Sequence, residues 1–86
     1  MTNDLNVKVR FFAAAADAVG CEQCTLSMPA HATVADARAA LAQRYPAAAS
    51  VLGSCAVFID DHLEADSSRP LETVESMDLL PPFAGG

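Results

Sequence analysis

The last six residues of the sequence, PPFAGG, bring together groups that could take part in covalent chemistry at a chain end. The α-carboxylate of Gly86 is a poor electrophile, but it becomes reactive once ATP converts it to an acyl-adenylate with AMP as the leaving group. An enzyme that does this must admit the chain end into its active site. Gly85 and Gly86 have no Cβ, so a narrow channel can close around their backbone. The ending therefore predicts a carboxylate that a partner enzyme activates.

The residues before the two glycines would deliver that carboxylate to a partner. Pro81 and Pro82 fix φ and disfavour helix, which holds the approach extended. Six extended residues reach roughly 20 Å, enough to enter a neighbouring protein. Phe83 is a candidate anchor in a partner pocket, and Ala84 is assigned to the threading segment with Gly85. The alternative is a frayed C-terminus whose glycines have no functional role.

Composition restricts the class of protein. The chain has 86 residues and a net charge of −6, with only five basic residues, which argues against a nucleic-acid ligand. The N-terminus lacks the layout of a signal peptide, and no run approaches the roughly 18 apolar residues of a membrane span. Three cysteines without a signal peptide favour reduced thiols and a cytoplasmic protein.

The N-terminal half predicts two strands around a short helix. Residues 5–12 and 22–28 alternate between apolar and polar side chains with a period of two, which is typical of half-buried strands. Between them, Ala13–Val19 is rich in alanine and is followed by Gly20, which indicates a short helix with a C-terminal glycine. A wide connection of about nine residues between them predicts that the two strands pair antiparallel.

The C-terminal half predicts the main helix and the remaining strands. Thr33 is a good N-cap, with Asp36 three residues later as in a capping box, and Pro46 ends the helix. Its apolar face consists of Val34, Ala37, Leu41 and Tyr45. Residues 46–53 can form a further helical turn. Strands are expected at 55–60, where both faces are apolar and a more buried strand is predicted, at 62–64 and at 77–80.

These elements predict one α+β domain, with a mixed sheet of four to five strands and one long helix packed on one face. We place the domain at residues 1–81 and a flexible tail at residues 82–86. If the first and last strands lie side by side in the middle of the sheet, both ends of the domain leave from one compact sheet.

Three stretches together resemble the ubiquitin-like sulfur carriers, and specifically the small-subunit family of molybdopterin synthase. They are VKVRFFAAAADAVG at the front, ATVADARAALAQRYP in the helix and LLPPFAGG at the end. The resemblance covers nearly the whole chain, and the Pro-Pro-x-x-Gly-Gly ending is its most specific part.

The resemblance implies a ubiquitin-like β-grasp fold and a carrier role. An E1-like adenylating enzyme would use ATP to activate the Gly86 carboxylate, and a sulfur donor would convert it to a thiocarboxylate. The carrier would insert its tail into a large catalytic subunit, in a heterotetramer, and donate sulfur to the pterin precursor of the molybdenum cofactor. The chain itself would hold no cofactor and, alone, would catalyse nothing.

One position departs from the family pattern, and other assignments stay open. Members usually carry an acidic-Gly-Asp turn before the last strand, where this chain has Ser76 and a strained turn residue is expected. The same tail chemistry would serve a sulfur carrier for thiamin or cysteine biosynthesis. It would equally serve a ubiquitin-like protein modifier, although Lys8 is the only lysine. A simple interaction domain with an inert tail is the remaining alternative.

Other residues could form sites but are better explained structurally. Cys21 and Cys24 form a C-x-x-C, yet they point to opposite faces of an extended strand, Cys24 belongs to the apolar face, and further ligands at metal-site spacing are lacking. The acidic run of Asp60, Asp61, Glu64 and Asp66 lacks the spacing of a calcium loop and is expected to be a solvated turn, with a partner-facing acidic patch as the alternative. His31 and His62 are expected at the surface. No metal site is predicted.

Overall fold

The computed structural model describes residues 4–82, and these form one layer of sheet covered on one side by helices. A 3₁₀ turn at Pro46–Ala48 links the second and third helices. In chain order the elements are β1 Leu5–Phe11, α1 Ala14–Val19, β2 Gln23–Met28, α2 Val34–Arg44, α3 Ala49–Ser54, β3 Ala56–Ile59, β4 His62–Leu63 and β5 Ser76–Leu80.

The five strands form a mixed sheet in the order β2-β1-β5-β3-β4. The first and last strands, β1 and β5, pair in parallel, with Val9 opposite Met77 and Phe11 opposite Leu79. The pairs β1–β2, β3–β5 and β3–β4 are antiparallel. The predicted α+β class, the mixed sheet, the antiparallel first pair and the central position of the first and last strands are therefore confirmed.

Because successive side chains of a strand point to opposite sides of the sheet, every second side chain packs against the helices. On β1, the buried residues are Val7, Val9 and Phe11, while Lys8 and Arg10 are exposed. The same pattern on the other strands completes a core with the helical residues, which includes Leu26, Met28, Val34, Ala37, Leu41, Ala48, Leu52, Val57, Ile59, Met77 and Leu79. The opposite side of the sheet, called the open face below, is not covered by any element within residues 4–82.

The helices lie at the three segments predicted to be helical, and one expectation about a strand needs correction. The longest helix, α2, has 11 residues, and α1 and α3 have six each. The strand β3 is buried on one side only, because Val57 and Ile59 face the helices whereas Ala56 is exposed and Phe58 half-buried. Apolar residues on both sides of β3 therefore do not show that both sides are buried. The side that carries Ala56 and Phe58 is part of the open face.

The N-terminus of α2 satisfies its free backbone donors in two ways. The predicted capping box is present: Thr33 Oγ1 accepts from the backbone N–H of Asp36, and the Asp36 carboxylate accepts from the backbone N–H of Thr33. The N–H groups of Val34 and Ala35 donate instead to the backbone carbonyls of Arg69 and Ser67. These are donors that a helix leaves without intrahelical partners, so the segment before β5 is held against the start of α2.

Arg38 plays the corresponding role at the end of α3. Its guanidinium donates to the backbone carbonyls of Leu52, Gly53 and Cys55 at 2.8–3.3 Å. A cation near the last carbonyls of a helix is favourable both as a donor and toward the helix dipole. A side chain that lies off the apolar stripe of α2 thus ties α2 to α3.

The backbone turns with positive φ identify where the chain is strained. Asp60 and Asp61, with φ of 53° and 66°, form the two-residue turn of the β3–β4 hairpin, and aspartate tolerates this region. Among the described non-glycine residues only these and Ala13 have positive φ, so the strain expected at Ser76 is wrong. Ser76 is instead the first residue of β5 and pairs with Lys8.

Ala13 occupies a turn position that glycine normally takes. Its φ of 52° and ψ of −127° mirror the first central position of a type II turn. The backbone N–H of Ala15 closes this turn by donating to the carbonyl of Phe12 at 3.0 Å. A Cβ at this conformation is under strain, on the order of 1–3 kcal/mol.

We predict that Ala13→Gly raises the free energy of unfolding by about 1 kcal/mol, because glycine removes the strain and only part of that gain is lost to the greater freedom of the unfolded chain. Denaturant unfolding followed by circular dichroism measures the change. Ala18→Gly, an exposed position within α1 with ordinary φ, is the matched control and should lose about 0.5–1 kcal/mol. Equal destabilisation by both changes would contradict the assignment of strain to Ala13.

Candidate functional site

The segment that leads to the chain end leaves the domain from the middle of the sheet. β5 is the third of five strands, and it ends at Leu80. Pro81 follows half-buried and Pro82 is exposed, so the first two predicted partner-binding residues lie at the root of the tail. The other predicted site residues, Phe83, Ala84, Gly85 and Gly86, lie outside the described residues. Within the described residues, the candidate site is therefore the surface next to Pro81 and Pro82, at the root of the tail.

One row of side chains crosses the open face through all five strands. Each member is paired with the next by the strand register, starting on β2 and ending on β4. The row is Gln23, Arg10, Asp78, Phe58 and Leu63. Because paired residues of neighbouring strands point to the same side of a sheet, all five side chains belong to the open face.

The row nearest the tail root is apolar. Leu80 pairs with Ala56, and the backbone N–H of Phe12 donates to the carbonyl of Leu79, which brings Phe12 to the same end of the sheet. Phe12 remains 39% exposed, and Leu63, in the neighbouring row, is 62% exposed. These two exposed apolar side chains lie on opposite sides of β5, the strand that leads to the tail, so a partner that receives the tail could cover them both.

An ion pair occupies the centre of the open face. Nε and Nη2 of Arg10 donate to the two carboxylate oxygens of Asp78 at 2.7 and 2.6 Å, in a bidentate arrangement. Asp78 is only 8% exposed and is the one buried charged residue of the described chain. The Asp78 carboxylate raises the pKa of the Arg10 guanidinium through these hydrogen bonds and through its charge. The guanidinium also lies over the ring of Phe12, 5.6 Å from its centroid.

The end of the open face far from the tail is polar. Lys8 pairs with Thr25 on one side and Ser76 on the other, and a shallow recess there also includes Asp60, Asp61 and Glu75. The open face therefore changes from apolar beside the tail root, through a neutral ion pair, to charged at the far end. A partner that covers this face must match all three zones.

The acidic residues of the predicted solvated turn have local roles. Glu64 Oε1 accepts from Nη1 of Arg69 at 2.7 Å, which lowers the pKa of Glu64. Asp66 accepts from the hydroxyl and backbone N–H of Ser68, which lowers its pKa as well. In residues 4–82, no three Cys, His, Asp or Glu side chains come close enough to hold a metal ion.

The three thiols differ in burial, and none is paired in a disulfide. Cys21 is exposed and precedes β2, Cys24 is half-buried against the core, and Cys55 is buried. Burial raises the pKa of the Cys55 thiol. Cys21 and Cys24 were expected to point to opposite faces of one strand. Cys21 instead lies before β2, whereas Cys24 packs on the apolar side as predicted. Both histidines, His31 and His62, are exposed as expected.

Tyr45 packs where α2 meets the sheet. Its ring lies edge-on to that of Phe11, with centroids 6.0 Å apart. Burial, followed by the neighbouring Cys24 thiol, raises the pKa of the Tyr45 hydroxyl from 10.0 to about 12. The neutral phenol is therefore the form that the folded chain favours.

We predict that the stability supplied by neutral Tyr45 is fully present below pH 10 and is lost as the pH rises through about 12. Tyr45 is the only tyrosine and there is no tryptophan, so the ultraviolet absorbance of tyrosinate reports this one group. Its midpoint in the folded chain should lie above that of the same chain unfolded in urea, and Tyr45→Phe should unfold at higher pH. Identical midpoints in the folded and unfolded chains would rule out the shift.

Comparison with known proteins identifies a family for this architecture. The model of the ThiS family matches residues 9–86. A search of curated proteins found no match. Within residues 4–82, no helix is long and apolar enough to cross a membrane.

Several solved structures share the fold. SAMP1 from Haloferax volcanii superposes with a TM-score of 0.82 at 24% identity, covering 95% of this chain and all of that one. A chain from the complex of subunits 1 and 2 of molybdopterin-converting factor from Helicobacter pylori 26695 matches with a TM-score of 0.69 and 29% identity, covering 95% of this chain and all of that one. Caldiarchaeum Subterraneum ubiquitin matches with a TM-score of 0.64 and 14% identity, covering 98% of this chain and all of that one. The ubiquitin-like β-grasp fold is thereby confirmed.

Proposed function

Because this chain belongs to the ThiS family, we propose that it is a sulfur carrier whose C-terminal glycine bears the sulfur. An E1-like enzyme joins the Gly86 carboxylate to AMP from ATP and releases pyrophosphate. Sulfide supplied by a sulfur donor then attacks the carbonyl carbon, the bond from that carbon to AMP breaks, and the products are AMP and a C-terminal thiocarboxylate. The family match extends through Gly85 and Gly86, and this is the observation that supports the assignment most directly.

The acceptor we propose is the pterin precursor of the molybdenum cofactor, with this chain as the small subunit of molybdopterin synthase. The Pro-Pro-x-x-Gly-Gly ending supports this choice. The 29% identity to a chain from the two-subunit molybdopterin-converting factor supports it as well. A sulfur carrier for thiamin or cysteine biosynthesis uses the same carboxylate chemistry. A protein modifier is the second candidate, favoured by the similarity to SAMP1, whose name stands for small archaeal modifier protein 1.

The carrier proposal predicts a specific mass change. Incubation of the purified chain with its E1-like enzyme, ATP and a sulfur source should raise the intact mass by the difference between one sulfur and one oxygen atom. Removal of Gly86 should abolish the gain without changing the circular dichroism spectrum, because residue 86 lies beyond β5. An unchanged mass in the complete reaction would contradict the proposal. Higher-mass conjugates on a denaturing gel would indicate the modifier instead.

The surface that docks on the large subunit is proposed to be the apolar end of the open face. It lies beside the root of the tail, so a subunit that holds Phe12, Leu80 and Leu63 also receives the chain end. The neutral Arg10–Asp78 pair borders this region. A bidentate pair leaves no uncompensated charge to desolvate when the partner covers it.

We therefore expect Leu63→Asp to weaken binding to the molybdopterin synthase large subunit by roughly tenfold or more, because it would leave an unpaired carboxylate in the interface. Isothermal titration calorimetry measures the affinity. Leu63 is 62% exposed, so the domain should remain folded. Ala39→Asp adds the same charge at an exposed position of α2 and should leave the affinity unchanged. Equal affinities for both variants would exclude the open face as the docking surface.

A further inference from the structure

At the outer edge of β2, backbone groups point away from the sheet. The backbone N–H of Phe11 donates to the carbonyl of Glu22 at 2.8 Å, so this is a hydrogen-bonded pair of the β1–β2 ladder. In an antiparallel ladder, hydrogen-bonded and non-hydrogen-bonded pairs alternate. The register then makes Arg10–Gln23, Lys8–Thr25 and Asn6–Ser27 the non-hydrogen-bonded pairs. The N–H and C=O groups of Gln23, Thr25 and Ser27 therefore point away from β1, toward the edge.

One side chain reaches this edge from the helical layer. Nη1 of Arg44, at the last position of α2, donates to the backbone carbonyl of Thr25 at 3.2 Å. The guanidinium also lies 5.4 Å from the ring centroid of Tyr45, which holds it beside the strand. Arg44 thus occupies the middle of the edge, at the central one of the three outward-facing residues.

The edge of β2 is complementary to itself. Its six residues, QCTLSM, carry no charge, and long neutral edge strands are templates for pairing with another chain. A two-fold axis at Thr25 would set Thr25 opposite its counterpart and Gln23 opposite Ser27 of the second copy. All three outward-facing residues on each strand would then be paired.

The other edge of the sheet lacks these properties. β4 has only two residues and lies between Asp60–Asp61 and Glu64. Two residues can form only a very short ladder with a second strand, so this edge offers few hydrogen bonds to hold one. β2 is therefore the edge of the described sheet at which a second strand could add.

We propose that the β2 edge is an interaction surface for the β2 strand of a second copy of this chain, paired antiparallel, and that Arg44 blocks it in the monomer. The guanidinium fills the place that the second strand would occupy at Thr25. The surface is separate from the open face and from the tail, and the inference does not depend on the proposed function.

Arg44→Ala tests the block directly. We expect the variant to self-associate at least about tenfold more tightly than the unchanged chain, a difference of about 1.4 kcal/mol, with a mass that rises from one chain to two as concentration increases in light scattering. Amide exchange at Gln23, Thr25 and Ser27 should be slowed in the dimer. A variant that remains monomeric at every concentration, or one whose three amides exchange as fast as in the monomer, overturns the proposal.

Two further variants identify the surface. Thr25→Pro, added to Arg44→Ala, removes an outward-facing N–H that the β1–β2 ladder does not use, and edge strands tolerate proline at such positions. The double variant should return to a monomer; a dimer that persists places the contact elsewhere and overturns the proposal. Gln43→Ala shortens a neighbouring exposed side chain of α2 and should stay monomeric. Association of this control, or of the unchanged chain to the same degree, would remove the role assigned to Arg44.

Discussion

The parallel pairing of β1 with β5 is the contact on which the arrangement depends. It joins the two ends of the described chain at the centre of the sheet and buries Val9, Met77 and Leu79 under the helices. β2 and β3 then add on either side of this central pair, each by antiparallel pairing. The chain after Leu80 then leaves from the central strand, beside the apolar end of the open face, rather than from an edge strand.

The same pairing brings together the charges at the centre of the open face. Arg10 and Asp78 are opposite each other in the parallel register, which allows two short hydrogen bonds between side chains 68 positions apart in sequence. A buried carboxylate without this partner would be strongly unfavourable. The pair therefore adds little net stability compared with apolar side chains, but it requires this register, since a shift of β5 would separate the two charges. The ion pair thus specifies the register of β5 against β1, which the neighbouring apolar residues could not specify alone.

Local patterns predicted most of the elements and the central place of the first and last strands, but they did not predict the individual long-range contacts. The alternation in β1 and β2 and the Thr33–Asp36 capping box depend on residues close in sequence, and all are present. The contact of Ser67 and Arg69 with the start of α2, and the burial of Leu71 and Val74, depend on where an irregular segment returns to the core. Among the site residues, Pro81 and Pro82 follow the last strand as expected. Arg10 and Asp78 were missed because only the parallel register joins them, although a lone acidic residue within an apolar final strand was a usable signal.

The distribution of backbone strain agrees with the division of the open face into an apolar and a polar end. The turn at the polar end uses Asp60 and Asp61, residues that adopt positive φ at modest strain. At the apolar end the chain uses Ala13, where a glycine would be relaxed, and this turn directly follows Phe12. Strained residues persist where the surrounding structure fixes them, and they concentrate at functional positions. Here the hydrogen bond from Phe12 to Leu79 and the contact of its ring with Arg10 fix the turn. These contacts therefore hold the strained turn in the conformation that leaves the Phe12 ring exposed beside the exit of the tail, where the proposed docking partner would contact it.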